Sequence, residues 1–255
     1  MNRLDTLFET DKKILSIYFT AGYPKLEDTV PILTELQDAG VDLIEIGLPF
    51  SDPLADGPTI QYSSTQALQN GMQSNVLFEQ LKNIRDNIHI PLIIMGYFNP
   101  ILQYGVDHFC HQCQQVDIDG LIIPDLPFDV YGQSYESIFK KHALKNIFLI
   151  TPQTPAERVQ MIDEKSNSFL YMVSSASVTG AKNKFDEKAI SYFKKINELQ
   201  LKSPKLIGFG ISHHTTYELA SKYAEGVIIG SAFIDFLKKN RIQDISQFIK
   251  LIRSN

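Results

Sequence analysis

The feature that most constrains this sequence is a regular alternation of short apolar segments with segments of helical spacing. Apolar residues occupy consecutive positions in the short segments, which is typical of strands covered on both faces of a parallel sheet. Eight strands are predicted, at residues 14–19, 43–47, 91–95, 120–124, 146–151, 169–173, 205–208 and 226–229. Helices are predicted at residues 26–39, 60–70, 77–87, 100–115, 131–142, 155–165, 185–199, 213–222 and 231–239, with a last helix from residue 242.

Eight strand–helix units predict one closed (β/α)8 barrel, the TIM-barrel architecture, which typically takes about 250 residues. We expect a single domain over residues 1–255, with a short extra helix at residues 2–9, because no linker rich in Gly, Ser or Pro interrupts the pattern. An open, doubly wound sheet is the alternative, but it normally has fewer strands and often a Gly-rich turn after the first. Here the first strand is followed by TAGYP at residues 20–24, which is not G-x-G-x-x-G.

Composition narrows the class of protein. Of the 255 residues 44% are hydrophobic, which suffices for a large core, and the formal net charge is −5. No run of Lys and Arg indicates a nucleic-acid partner, and the apolar runs are too short to span a membrane. Charged residues between Asp5 and Lys12 interrupt any signal-peptide core, and two cysteines provide no disulfide framework. We therefore expect a soluble, cytoplasmic protein.

Residues 43–61 read LIEIGLPFSDPLADGPTIQ and contain the strongest candidates for chemistry. Side chains alternate along a strand, so Glu45 shares a face with its second neighbours. An unpaired carboxylate facing packed helices would be costly, so we expect Glu45 to point into the barrel lumen. Burial there would raise its pKa and suit it to general acid–base catalysis. The alternative is a structural glutamate paired with a backbone group or a lysine.

The loop that follows this strand carries Asp52 and Asp56. The active site of such a barrel lies at the C-terminal ends of its strands, where this loop begins. Asp52 precedes a proline and is better explained by hydrogen bonding within a turn. Asp56 could cap the next helix, but its position also suits a second catalytic carboxylate. We predict that Glu45 and Asp56 are the catalytic pair.

Three later loops combine small residues with open backbone N–H groups: SVTGA at residues 177–181, GFGIS at 208–212 and GSA at 230–232. In a (β/α)8 barrel the loops after the last two strands commonly form a phosphate site. Glycines there let the backbone approach an anion closely. Ser212 and Ser231 could instead cap helices. These loops predict a phosphorylated substrate.

Aromatic side chains fall near several predicted strand ends and could line an apolar pocket: Tyr18, Tyr97, Phe98 and Tyr171. Each could also belong to the core. The Cys110–Cys113 pair has CxxC spacing, but it lies in a helical segment without a second ligand pair, so we interpret it as structural. No metal constellation and no cofactor motif is visible. The residues alone predict a barrel enzyme that uses carboxylate acid–base chemistry, and they do not give the reaction.

The stretch SDPLADGP after the strand-borne Glu45 closely resembles the signature of the tryptophan synthase alpha chain family. The resemblance covers essentially the whole chain, through TAGYP, GYFNPILQYG, IIPDLP, SVTGA, GFGIS and GSA after successive strands. It implies retro-aldol cleavage of indole-3-glycerol phosphate to indole and glyceraldehyde 3-phosphate. It also implies that Glu45 is the general acid/base and that Asp56 holds the indole N–H.

The same resemblance implies roles for further residues. Tyr18, Tyr97 and Tyr171 correspond to indole-pocket positions, and Thr179 to a loop residue that closes toward Asp56. The phosphate would bind backbone N–H groups around Gly180, Gly210, Gly230 and Ser231. Where many members have Gly, this chain has Ser177, and Ser175 lacks the positive charge of the Arg that some members carry. Ser is less favourable than Gly at positive φ, so closure of this loop would be stiffer.

The family resemblance also implies a partner, a β chain that carries pyridoxal phosphate in an α2β2 assembly. The loops at residues 49–58 and 124–128 would face it, and this chain itself would need no cofactor. Two alternatives remain: another phosphate-binding barrel enzyme of the same pathway, expected to have a catalytic lysine at a strand end, and a non-catalytic subunit that only activates a β chain. The absence of such a lysine disfavours the first, and the retention of both carboxylates disfavours the second.

Overall fold

The computed structural model describes residues 2–174 and 185–254. Its sheet is a closed barrel in which each strand pairs in parallel with the next and the last pairs with the first. The strands are β1 Ile14–Thr20, β2 Leu43–Gly47, β3 Leu92–Met95, β4 Gly120–Ile122, β5 Lys145–Ile150, β6 Leu170–Val173, β7 Lys205–Gly208 and β8 Gly226–Ile229. The predicted (β/α)8 barrel is therefore confirmed, whereas the single domain over all of residues 1–255 stays a prediction.

Helices lie before, between and after the strands in the predicted order. They are α1 Arg3–Leu7, α2 Thr29–Asp38, α3 Pro58–Gln69, α4 Ser74–Leu81, α5 Phe98–Tyr104, α6 Val106–Gln115, α7 Phe128–Val130, α8 Glu136–Lys141, α9 Ala156–Lys165, α10 Glu187–Glu198, α11 His214–Ser221, α12 Ser231–Leu237 and α13 Ile245–Arg253. No helix in the described part of the chain is both long enough and apolar enough to cross a membrane.

Three predicted helices are interrupted. The helix predicted at residues 77–87 ends as an α-helix at Leu81, and a separate 3-10 turn, Ile84–Asp86, follows it. The helix predicted at residues 100–115 is wrong as one element, because Gly105 has φ of 90° and separates α5 from α6. Such a backbone angle cannot continue a right-handed helix, and glycine adopts it without steric cost. The helix predicted at residues 131–142 begins earlier, at α7, and reaches α8 through a wide π turn, Tyr131–Tyr135.

Apolar side chains form two cores because alternate residues of each strand point to opposite faces. One set packs under the surrounding helices. The other fills the lumen and comprises Ile14, Leu43, Ile93, Ile122, Ile147, Phe169, Tyr171, Val173, Leu206 and Ile228. Helix α1 closes the N-terminal end of the barrel, where Leu4 joins this lumen cluster and the Phe8 ring lies 5.8 Å from that of Phe169. The other end of the lumen is left for the loops that carry the candidate catalytic residues.

Asp119 holds the N-terminal end together. Its side chain is 2% exposed and accepts hydrogen bonds from the backbone N–H of Leu92, at 2.9 Å, and from the guanidinium of Arg85, at 2.7 Å. Arg3 of α1 donates to the other oxygen through its backbone and its guanidinium, each at 3.2 Å. One carboxylate therefore joins α1, the start of β3 and the segment before β4. A buried carboxylate is stable only with such partners.

We predict that Asp119→Asn lowers the free energy of unfolding by about 3 kcal/mol, since it leaves the Arg85 guanidinium without its buried counter-charge. Urea unfolding followed by circular dichroism measures the change. Asp129→Asn is the matched control, because Asp129 pairs with Arg158 at the surface, where solvent screens the two charges and the pair contributes little to stability. Equal effects of the two substitutions would contradict the structural role of Asp119.

Candidate active site

Glu45 is the central residue of β2 and is fully buried. It lies beside Tyr18 of β1 and Ile93 of β3 in the strand register. Its Oε1 accepts a hydrogen bond of 2.9 Å from the Ser16 hydroxyl, and its buried Oε2 has no hydrogen-bond partner among the described residues. Burial raises the pKa of the carboxyl to about 8, and the bond from Ser16 acts in the opposite direction. Glu45 is therefore mostly protonated at neutral pH.

Asp56 lies in the loop between β2 and α3 and is partly buried. It does not cap the helix, since α3 begins at Pro58 with Gly57 as its N-cap. Its Oδ2 accepts a hydrogen bond of 3.0 Å from the Tyr97 hydroxyl, whose oxygen accepts one of 2.9 Å from the backbone N–H of Ala55. Burial raises the pKa of Asp56 to about 6, with the Tyr97 bond opposing the rise. Asp56 is therefore mostly ionised at neutral pH.

Asp52, in the same loop, behaves as a turn residue. Its exposed carboxylate accepts a hydrogen bond from the adjacent Ser51 hydroxyl, and its backbone carbonyl accepts one from the N–H of Leu54. This local bonding agrees with the interpretation of Asp52 from the sequence.

The two carboxyl groups belong to one site, because the phenols of Tyr18 and Tyr171 each lie near both of them. Burial raises the pKa of both phenols, and the negative charges of Glu45 and Asp56 raise both further. Tyr18 is on β1 and Tyr171 is on β6, so the two approach the same space from different sides of the barrel. Tyr18 and Tyr171 therefore lie near both groups of the predicted catalytic pair, and Tyr97 bonds to Asp56. Phe98, the fourth predicted pocket residue, packs on Tyr135 against the core under the helices.

Two glycines at strand ends make room for these phenols. A Cβ on Gly47 would overlap the Tyr18 hydroxyl, and a Cβ on Gly208 would overlap the Tyr171 hydroxyl. Because these clashes involve the rigid end of an aromatic ring, a larger residue at either position would displace a tyrosine from the pocket.

The ends of β7 and β8 contribute exposed backbone. After β7, Phe209 and Gly210 have φ of 68° and 76°, and the Phe209 ring lies 6.3 Å from that of Tyr171. After β8, Gly230 is the N-cap of α12 and Ser231 its first residue, so Ser231 does not cap this helix. The first N–H groups of a helix lack partners within it and point outward. Gly230 also lies against the Tyr18 ring, which adjoins both parts of the site.

Several residues singled out in the sequence lie outside the described residues: Ser175, Ser177, Thr179 and Gly180. The other predicted site residues are described and lie around the C-terminal end of the barrel. The two cysteines are buried in α6 within the outer core. Among residues 2–174 and 185–254, no group of three or more His, Cys, Asp or Glu side chains could hold a metal ion.

Three residues of this site, Ser16, Gly47 and Phe209, have no role in the predictions from the sequence, and Gly208 was predicted only as part of the anion-binding loop GFGIS, not as the residue that makes room for Tyr171. Ser16 had a usable signal, because it is a polar residue in the apolar strand ILSIYF and lies two positions before Tyr18, on the same face. The two strand-end glycines and Phe209 had weaker signals. Their importance depends on which side chain from another strand lies against them.

The arrangement combines a neutral carboxylic acid with an ionised carboxylate at one aromatic-lined site. Pairs of titratable groups whose pKa values are separated by their environments are typical of acid–base active sites. Such a site can donate a proton to a bound ring at one position and stabilise positive charge at another. The adjoining backbone of β7 and β8 is suited to hold an anion nearby.

The chain matches the family model described as "Tryptophan synthase alpha chain" over residues 4–254. A tryptophan synthase alpha chain from Flavobacterium psychrophilum is 62% identical, with 99% of this chain and 100% of that one covered. The one from Christiangramia forsetii is 59% identical, with 100% of this chain and 99% of that one covered.

Solved structures agree with the sequence comparison. Tryptophan synthase subunit alpha from Legionella pneumophila is similar with a TM-score of 0.88 at 33% identity, covering 99% of this chain and 97% of that chain. Tryptophan synthase from M. tuberculosis, in an aminoacrylate-bound form, has a TM-score of 0.87 at 28% identity, covering 99% and 98%. With a family model over nearly its full length and relatives of about 60% identity, the chain belongs to the tryptophan synthase alpha chain family.

Proposed function

We propose that Glu45 and Asp56 are the catalytic pair for the cleavage of indole-3-glycerol phosphate to indole and glyceraldehyde 3-phosphate. The reaction follows from family membership: the chain is a carbon–carbon lyase of tryptophan biosynthesis. The observation that carries the assignment of the pair is the separation of their pKa values, about 8 for Glu45 and about 6 for Asp56, at one site. This gives an acid and an anion together at neutral pH.

The reaction can be written with each proton accounted for. Neutral Glu45 donates its proton to the indole ring carbon that carries the glycerol chain, and positive charge spreads to the ring nitrogen. Asp56, as a carboxylate, accepts a hydrogen bond from the ring N–H and stabilises that charge. Glu45, now ionised, takes the proton of the neighbouring hydroxyl as the C–C bond breaks. The hydroxyl becomes the aldehyde, the bonding electrons return to the ring, and Glu45 is again neutral.

Substrate binding divides between an aromatic part and an anionic part. We assign the indole ring to the space lined by Tyr18, Tyr97 and Tyr171, which surrounds both carboxyl groups. The phosphate is assigned to backbone N–H groups at Gly210, Gly230 and Ser231. Thr179 and Gly180, to which the family resemblance gives further roles, lie outside the described residues. The Tyr18 side chain lies against Gly47 at the end of β2 and against Gly230 at the end of β8. This supports the division, because one ring borders both the aromatic part and the anionic part of the site.

The chain assembles with a tryptophan synthase β chain in an α2β2 heterotetramer. We propose that the loops at residues 49–58 and 124–128 face this partner. Leu54 in the first loop is 90% exposed, and Leu102 and Val130 are exposed on helices that follow β3 and β4. Exposed apolar residues at one end of a barrel are typical of an interface.

We place pyridoxal phosphate in the β chain only. The cleavage step needs proton transfer and charge stabilisation, which the two carboxyl groups supply without a cofactor.

We also place the protein in the cytoplasm.

The other interpretations are not favoured. A barrel enzyme with a catalytic lysine needs that lysine at a C-terminal strand end, and the described strands have lysines only at their first positions, Lys145 and Lys205. A non-catalytic subunit gains nothing from a buried Glu45 whose Oε2 has no partner among the described residues, because burying a carboxyl oxygen in that state costs free energy.

We predict that Glu45→Gln lowers the rate of indole release by about a thousandfold, because it removes the group that both gives and takes the proton. KM should stay within about twofold, since the amide keeps the shape of the side chain. Indole release by the purified chain with saturating β chain measures both. Glu198→Gln, at the exposed end of α10, is the control that should match the unaltered chain. Undiminished turnover of Glu45→Gln would remove Glu45 from the mechanism.

The pH dependence of kcat/KM should be bell-shaped. Activity needs ionised Asp56, so it should fall as pH drops through about 6, and it needs neutral Glu45, so it should fall as pH rises through about 8. Initial rates between pH 5 and pH 9.5 in buffers of constant ionic strength measure the curve. Asp56→Asn should lower the maximum and abolish the acidic limb while keeping the alkaline one. An unchanged acidic limb in that variant would show that another group controls it.

Leu54→Asp should weaken binding of the β chain by at least about tenfold, since it places a charge on an apolar contact that becomes buried. Titration of a fixed amount of the chain with β chain, following the acceleration of indole release, gives the affinity. Leu251→Asp is the matched control: Leu251 is 71% exposed, on α13, whose Arg253 pairs with Asp42 before β2 at the opposite end of the barrel. If both substitutions weaken binding equally, the proposed interface is wrong.

A further inference from the structure

Ser16 is fully buried in β1 and donates a hydrogen bond of 2.9 Å to Oε1 of Glu45. Within residues 2–174 and 185–254, it is the only hydrogen-bond donor to that carboxyl group. Its side chain faces the lumen, since it lies two residues before Tyr18 on the same strand face. The buried hydroxyl therefore contacts the group to which the proposed function gives both proton transfers.

The register defines how this contact orients the carboxyl group. Tyr18 is opposite Glu45 and Ser16 is opposite Leu43, so Ser16 lies one lumen layer deeper than Glu45. The hydrogen bond therefore holds Oε1 toward the interior of the barrel. Oε2 is left buried and without a partner among the described residues. A buried oxygen in that state gains free energy from any donor that a ligand brings.

We propose that Ser16 is a positioning residue that anchors Oε1 of Glu45 and leaves Oε2 as the oxygen that exchanges protons with the substrate. This inference rests on the proposed function, because it specifies how Glu45 performs that role. Ser16 itself touches no reacting atom. Its contribution is to hold the carboxyl plane still, since small errors in the placement of a catalytic group are costly.

The hydroxyl also affects protonation. A donor to a carboxylate stabilises the charged form, so the Ser16 bond lowers the pKa of Glu45 against the larger effect of burial. Tyr18 of β1 and Tyr171 of β6 are the other titratable groups beside this carboxyl in the described chain, and Asp56 of the β2–α3 loop lies near the same two phenols. On the other side, β3 places the apolar Ile93 beside Glu45. Loss of the Ser16 hydroxyl therefore raises the pKa of Glu45.

Two pairs of variants isolate the hydroxyl. Ser16→Ala differs from the unaltered chain by one oxygen, and Ser16→Val differs from Ser16→Thr by the same group at constant size. In each pair the member without the hydroxyl should show about tenfold lower kcat with KM within about twofold. In that member the fall of kcat/KM on the alkaline side should move to higher pH, because Glu45 then stays neutral up to a higher pH. Ser203→Ala, a buried serine before β7, is the control and should change neither quantity.

The outcomes separate this inference from the proposed function. A direct readout is the ¹³C shift of the Glu45 carboxyl as a function of pH, in protein labelled at glutamate, with the signal assigned by Glu45→Gln. Ser16→Ala should move this titration to higher pH. If the unaltered chain releases no indole, the proposed function fails whatever this titration shows. If the chain is active, and Ser16→Ala lowers kcat but shifts neither the kcat/KM profile nor the ¹³C titration, Ser16 is only a packing residue. Unchanged kcat would likewise overturn the inference.

Discussion

Closure of the parallel sheet is the constraint on which the rest of this protein depends. Once the eight strands join in a ring, every second side chain must enter a lumen with no access to bulk water except near its ends. Ten apolar residues fill that space, and Glu45 is placed among them. The same geometry that stabilises the fold thus produces a neutral carboxylic acid, because desolvation of Glu45 follows from its position in β2.

The two ends of the barrel use buried charge in opposite ways. At the N-terminal end, Asp119 is paired with two arginines and two backbone N–H groups, so its burial contributes to stability. At the C-terminal end, the described residues give Glu45 one neutral donor and leave its second oxygen without a partner, and they give Asp56 one phenol. Incomplete pairing costs stability, but it leaves each carboxyl able to change its proton or its partner during a reaction.

Much of the fold could be predicted from the sequence, because consecutive apolar residues and helix-ending glycines are local signals. β7 and β8 have the predicted bounds, and Glu45 lies in the lumen, as the cost of placing its carboxylate against packed helices predicts. The hydrogen bond of Asp56 with Tyr97 joins residues 41 apart, and local patterns do not encode such a pair. The break at Gly105 was missed because helical periodicity resumes beyond it in nearly the same register.

The contact between Ser16 and Glu45 could be predicted from the sequence only in part. Strand alternation places both side chains in the lumen, but only the stagger of β1 against β2 brings the hydroxyl to the carboxyl group. Stagger in a closed barrel is set by the number of strands and their tilt, which are properties of the whole ring. The orientation of the proposed catalytic acid therefore depends on barrel closure as directly as its protonation does. A change that altered the pairing of β1 with β2 would disturb both together.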